Sequence, residues 1–180
     1  MTATFYDFGE RLLWSQGYLH DGIAKILKAR IPGCYDVQKA DELSDRNGTD
    51  YWALRHGLTS LSVDVKVREK DFAQYGQDDL ALETWSVVES RPGWTRDQEK
   101  QTDYILWFWQ DTGRFCIVSF PALCCTFQRY WRDWATEYKT ARQSSGTWLS
   151  ECVFVPRQVV LDKLSDWANG TAAYTRAENT

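Results

Sequence analysis

Proline is scarce in this chain, with 4 in 180 residues, and its 11 glycines follow no period. A collagen-like or low-complexity polymer is thereby excluded. No uninterrupted apolar run approaches the roughly 18 residues that a membrane helix needs. The first residues, Met1 to Asp7, lack a basic stretch ahead of an apolar one, so no secretory signal is expected and a cytoplasmic protein is. Basic charge is not in excess: 21 Lys plus Arg stand against 25 Asp plus Glu, a formal net charge of -4. A strongly basic nucleic-acid coat is therefore absent, although local basic patches can still meet phosphates. Histidine is limited to His20 and His56, and the five cysteines form no Cys-x-x-Cys pair. A zinc site would need an implausible set of distant ligands. The cysteines, including the adjacent Cys124 and Cys125, read as buried reduced thiols.

What the chain does have is apolar and aromatic material, with 10 Trp, 9 Tyr and 8 Phe. That is enough to offset the entropy of ordering, so a folded domain is expected rather than disorder. Leu12, Leu13, Ile23, Ile26 and Leu27 recur at helical spacing and predict a helix over 5–29, ended by Pro32-Gly33. Strands are predicted over 49–54, 60–68, 80–88, 103–109 and 114–120. The segment 60–68 alternates cleanly, with Leu61, Val63, Val65 and Val67 on one side and Ser62, Asp64, Lys66 and Arg68 on the other. Asp111-Thr112-Gly113 predicts a hairpin between the last two strands. Pro121 suits the first turn of a helix over 121–142. A short strand at 152–155 and a last helix from Pro156 to about 167 complete the order. The expectation is one mixed α/β (α+β) domain over 1–168, a central mixed sheet flanked by helices, with a flexible tail over 169–180. The strands 49–54, 60–68 and 80–88 are expected to form an antiparallel meander with helix 5–29 across one face.

The segment that can carry chemistry is 48–66. Asp64 and Lys66 are one residue apart and so project from the same side of a strand. Asp50 heads the neighbouring strand of an apparent hairpin. Two carboxylates and an ammonium then converge. Hard divalent cations take carboxylate oxygens and water, and a nearby ammonium stabilises negative charge on an attacked phosphate.

Asp50 followed by Asp64-x-Lys66 resembles the bipartite motif of the PD-(D/E)xK nuclease superfamily, an acid, a gap, then acid-x-Lys on the following strand. Gly9-Glu10-Arg11-Leu12-Leu13 resembles the first-helix motif of its Holliday junction resolvase-like members, where a Glu adds a metal ligand. The order helix–strand–strand–strand–helix–strand is similar to that superfamily's restriction-endonuclease-like core, over roughly 5–155. Two departures stand out: Gly-Thr-Asp replaces Pro-Asp, and Asp rather than Glu precedes Val-Lys. The resemblance implies Mg²⁺ or Mn²⁺ held by Asp50 and Asp64, with Glu10 or Glu83 completing the shell, and Lys66 stabilising charge. Glu83 enters because it is a charge inside an apolar strand, which is costly unless exposed, paired or bound.

Arg68, Lys70 and Lys100 are candidates for phosphate contacts, with Arg96 and Arg114 behind them. For each of these the competing reading is an ordinary solvated charge, and Asp64 and Lys66 could likewise be an exposed strand face. The segments around Trp107, Trp109, Trp131 and Trp134 read as core before they read as base-stacking platforms. The function implied is DNA phosphodiester hydrolysis, structure-selective rather than sequence-specific, with DNA and a second copy of the chain as partners. The alternative is a non-catalytic interaction protein of a mobile element, such as an inhibitor of a host defence system, that keeps a nuclease-like fold and binds a protein partner. No membrane partner is expected.

Overall fold

The computed structural model describes residues 19–144, 146 and 148–177, with side chains described to residue 169. The first part of the expected helix 5–29, and Glu10 with it, lies outside the described residues. The architecture is mixed α/β, with two sheets rather than the one expected. The chain divides into two compact units, Met1–Lys70 with Tyr104–Ile117, and Asp71–Asp103 with Val118–Thr180. Among the described residues, no helix is long and apolar enough to cross a membrane.

The first unit opens with α1 (Leu19–Arg30), which the chain leaves through Gly33 at φ +75°. There follow β1 (Cys34–Lys39), a five-residue α2 (Glu42–Arg46), β2 (Tyr51–Arg55) and β3 (Leu58–Arg68). After an excursion into the second unit come β6 (Tyr104–Trp109) and β7 (Phe115–Ser119). The sheet order is β1-β2-β3-β6-β7. The pairs β1–β2 and β2–β3 are antiparallel, and β3–β6 is parallel, with Asp64 opposite Ile105. Ile23, Leu27 and Ile31 from the first helix and its exit pack with Val37, Tyr51, Ala53, Val63, Leu106 and Phe108. The alternation in 60–68 therefore does what the pattern required: Val63 is core, with Leu61, Val65 and Val67 packed at its margin. Strand β6 is buried from Ile105 through Trp109. A central parallel strand is covered on both faces, which is why it carries no polar alternation. Its tryptophans are interior, Trp107 at 1% and Trp109 at 4% exposure, as the core reading expected.

The second unit contains β4 (Asp79–Val87), the two-residue β5 (Arg91–Pro92), α3 (Phe120–Glu137), β8 (Thr140–Ser144), β9 (Leu149–Pro156) and α4 (Arg157–Ala177). Two 3₁₀ turns, Phe72–Tyr75 and Trp94–Arg96, flank β4 and β5. All pairs in its sheet, ordered β5-β4-β9-β8, are antiparallel. Its buried side chains include Leu80, Leu82, Leu123, Phe127, Trp134, Val153 and Val155. Pro121 sits in the first turn of α3, where its missing N–H has no helical partner to lose.

One pairing corrects the expected meander. Strand β4 does not extend the β2–β3 hairpin; it pairs with β5 and β9 in the other sheet, and the far neighbour of β3 is β6. Strand β6, buried from Ile105 through Trp109, lies parallel beside β3, whereas β4 finds its apolar partners, Val153 and Val155, on β9. The expected tail also differs, because α4 continues to Ala177. Of the cysteines, Cys116 and Cys124 are buried as free thiols, while Cys125 is exposed.

Candidate functional site

The positions of Asp50, Asp64 and Lys66 are set by local structure in the first unit. Asp41 caps α2 by accepting from the Ser44 N–H at 2.7 Å. Gly48, at φ +89°, reverses the chain after the helix, a left-handed turn that other residues adopt at a cost. The Thr49 N–H then donates to the Ser44 carbonyl at 3.0 Å. This short, capped connection delivers Asp50 to the head of β2. Its N–H donates to the Val63 carbonyl at 2.9 Å, and its carbonyl accepts from the Ala40 N–H at 2.8 Å. Asp50 is thus a laddered residue rather than a loose turn residue.

The side chain continues what the backbone begins. An Asp50 carboxyl oxygen accepts from the Val65 N–H at 2.6 Å, which bridges the two strands just past their last backbone pair, Tyr51 with Val63. That places the Asp50 carboxyl beside Asp64, near enough for the Asp64 charge to act on its ionisation. Lys66 closes the cluster, its Nζ at 2.7 Å from Asp64 Oδ1.

The environment is not the solvated strand face that the alternative reading supposed. Asp64 is 3% exposed and Ser62 4%. Burial pushes the Asp50 carboxyl up to about 7, and the adjacent Asp64 charge pushes in the same direction. The Val65 N–H and the Lys66 ammonium pull it the other way without winning. Two carboxyls this close cannot both ionise cheaply, so Asp50 is biased towards its protonated form. Lys66 offsets the charge of its neighbour Asp64.

No protein-family model, no curated protein and no solved structure matches this chain. The site therefore has to be read from its own chemistry.

The donor set suits a hard cation. Two carboxyls this close offer oxygens that a divalent cation can take together, and without a cation their charges repel. Asp50 and Asp64 would hold such an ion. Among the described residues, no group of three or more His, Cys, Asp and Glu is arranged as a metal site.

The other candidates separate. Glu83 belongs to the second unit, where its Oε2 accepts from the Trp94 N–H at 2.9 Å and the Ser86 hydroxyl at 3.0 Å. The bond from Trp94 ties β4 to the 3₁₀ turn that follows β5. Arg68 is exposed at the end of β3, and its carbonyl accepts from the Gln110 N–H at 2.9 Å. Lys70 is exposed too, and Lys100, in the second unit, lies 5.9 Å from the Phe120 ring centre. Arg114 covers the Trp109 ring at 4.0 Å. The role of Val65 was not visible in the sequence. It supplies a backbone N–H rather than a side chain, and the hint available was only that the hairpin brings Asp50 to the stretch of β3 around Asp64.

Proposed function

We propose that this protein is a divalent-metal-dependent phosphodiesterase acting on DNA, with a restriction-endonuclease-like core and the site Asp50–Asp64–Lys66. The observation that carries the reading is the close carboxyl pair, Asp64 buried and Asp50 pushed up to about 7, with a lysine ammonium 2.7 Å from Asp64. Folding tends to separate like charges or replace them, so a close acid–acid pair held by a backbone hydrogen bond is a candidate site by its energetics. The hairpin of β2 and β3, reached from α1 through β1 and α2, with the first acid heading β2 and acid-x-Lys on β3, supports the same reading.

The roles follow from position. Asp50 and Asp64 hold Mg²⁺ or Mn²⁺, which when bound supplies Lewis-acid polarisation of the phosphate and a more acidic water. The Val65 N–H fixes one Asp50 oxygen and so orients the carboxyl. The Lys66 ammonium, fixed on its strand beside Asp64, offsets negative charge that grows on the phosphate during hydrolysis. Glu10 remains a proposal for a further ligand, and Arg68 and Lys70 for substrate contacts.

One observation favours the second reading, a non-catalytic interaction protein. Asp64 is already paired with Lys66 and Asp50 is biased towards its neutral form, an arrangement that a purely structural cluster also achieves.

Incubation of a branched duplex and of supercoiled plasmid with the protein in Mg²⁺ or Mn²⁺ separates the readings. Cleavage that disappears in Asp64→Asn, with Mn²⁺ affinity abolished in calorimetry, is the expected result. Intact DNA in both metals together with equal Mn²⁺ affinity in the two proteins would sink the proposal.

A further inference from the structure

The second unit gathers cations and indoles on β4, the turn 93–97 and the facing side of α3. The Arg96 guanidinium lies 4.5 Å from the Trp85 ring centre and 4.2 Å from that of Trp131. Trp85 and Trp131 meet edge to face at 6.1 Å. A second guanidinium, Arg132, lies 4.7 Å from the Trp131 centre. Arg129, one turn earlier on α3, is exposed, as is Arg132. The arrangement is held rigidly: Arg96 Nη1 donates to the Thr84 carbonyl at 3.1 Å, and Gln128 Nε2 donates to the Arg96 carbonyl at 3.3 Å.

Two features of this cluster call for an anion. Burial and Arg132 both act against the charge on Arg96, so two guanidiniums are crowded together. Among the described residues, no carboxylate forms an ion pair with Arg96, Arg129 or Arg132, although this unit is rich in acids. The indoles narrow the choice of anion. Guanidinium planes stacked on aromatic rings are platforms on which unpaired bases stack, while the N–H edges of the same groups reach phosphates. An acidic peptide would use the charges and leave the tryptophans without a role.

We infer that Trp85, Arg96, Trp131 and Arg132, with Arg129 beside them, form a docking surface for a single-stranded nucleic-acid segment. The inference rests on the nucleic-acid partner of the proposed function, but not on hydrolysis. Phosphates meet the exposed Arg129 and Arg132 guanidiniums, and a base continues the stack begun by Trp131 and Arg132.

The test uses the full chain in EDTA, with fluorescence anisotropy of a labelled oligothymidylate of about 16 nucleotides. The wild type is compared with Arg129→Ala/Arg132→Ala. Both residues are exposed, so thermal stability serves as a control for folding. The double variant is expected to bind about 10-fold more weakly. Its log–log salt slope should fall by about 1.4, or ~0.7 for each single-strand phosphate that is no longer neutralised. Arg132→Lys, which keeps charge and removes stacking, should recover the salt slope but not the affinity. Equal binding by wild type and double variant overturns the inference, as does no binding by the wild type. Binding of oligoglutamate in preference to the oligonucleotide overturns it in favour of an acidic protein partner. Cleavage assays in Mg²⁺ on the same proteins keep the two ideas apart. DNA bound through these arginines but never cut leaves this surface standing and removes the hydrolytic reading. DNA cut equally well by wild type and double variant, with unchanged affinity, does the reverse.

Discussion

Each of the two units holds a half-buried acid, Glu83 in the second and Asp50 in the first, and they meet its needs differently. In the second unit, Glu83 accepts from a backbone N–H and a hydroxyl, and the Thr95 hydroxyl donates to its own carbonyl. A carboxylate met by donors is satisfied, and its work is to fasten β4 to the turn at Trp94–Arg96. In the first unit, Asp50 is given one donor and one competitor, since its neighbour is a second carboxyl. No element of folding requires that conflict. The difference teaches how to tell a structural acid from a candidate functional one: the first is surrounded by hydrogen-bond donors, while the second is held against another acid with a cation at the margin.

The sharpest break in the comparison comes from removing one charge on each side. Lys66→Ala should keep Mn²⁺ binding and most DNA affinity while lowering single-turnover cleavage by about 10²–10³-fold, the range for losing one preorganised charge-stabilising donor. Glu83→Gln should leave the cleavage rate within a factor of a few and lower thermal stability instead. Unchanged cleavage in Lys66→Ala would reject the mechanism even with the fold intact.

A smaller effect tests the proton itself, in metal-free protein. The unfolded chain ionises Asp50 near ~3.9, while the folded chain keeps the proton up to about 7. Between these values the folded state binds more protons. The contribution of this group is therefore full below about pH 4 and is lost as pH rises through about 7, at up to ~1.4 kcal/mol per pH unit. The total is on the order of a few kcal/mol. Asp50→Asn keeps an acceptor for the Val65 N–H without titrating. Urea unfolding at pH 4, 5.5 and 7 should show a downward trend in wild type that is flattened in the variant. Parallel trends in the two would reject the upward push on Asp50.

Next in size is a close backbone approach in the second unit. A Cβ on Gly93 would lie 2.1 Å from the Glu83 carbonyl oxygen, too close for a side-chain adjustment to relieve. Its φ of -72° suits any residue, so the penalty is steric alone. Gly93→Ala should cost about 2 kcal/mol, read as a drop in Tm of roughly 4–8 °C at this chain length, with Mn²⁺ affinity unchanged. The smallest effect serves as a baseline: the exposed Arg46–Glu42 pair, at 2.6 Å one turn apart, should contribute at most ~0.5 kcal/mol when Arg46 is changed to Ala.

Legibility in the sequence followed burial contrast. The hairpin of β6 and β7, the alternating β3 and the proline-started α3 were readable because each carries a strong local signal. Strand β1 was missed: of its six residues, Val37 alone is buried, and Tyr35, Asp36 and Lys39 make it read as loop. Strand β8 was absorbed into the expected helix 121–142. Its five residues, Thr140–Ser144, are all exposed, so no apolar period marks the switch that the structure makes after Glu137. Asp50, Asp64 and Lys66 were legible as a trio from spacing on a hairpin. Their burial was not, since the alternation that puts valines on one face says nothing about what becomes of the other.

The sequence by itself determined the local conformations and which residues of β3 share a side, because φ/ψ preference, side-chain period and turn chemistry act over a few neighbouring residues. It also determined that two acids and a lysine would come within reach, since a short hairpin leaves little freedom of register. Tertiary structure alone decided that β3 pairs with β6, with residues 69–103 between them, and that β4 leaves for another sheet. Strand partners are chosen by how much apolar surface each pairing buries, a sum over the whole chain. Tertiary structure alone also decided that the Asp50 carboxyl is pushed up to about 7. Ionisation depends on the water excluded and on the charge brought alongside, and both arrive only when the chain closes around them.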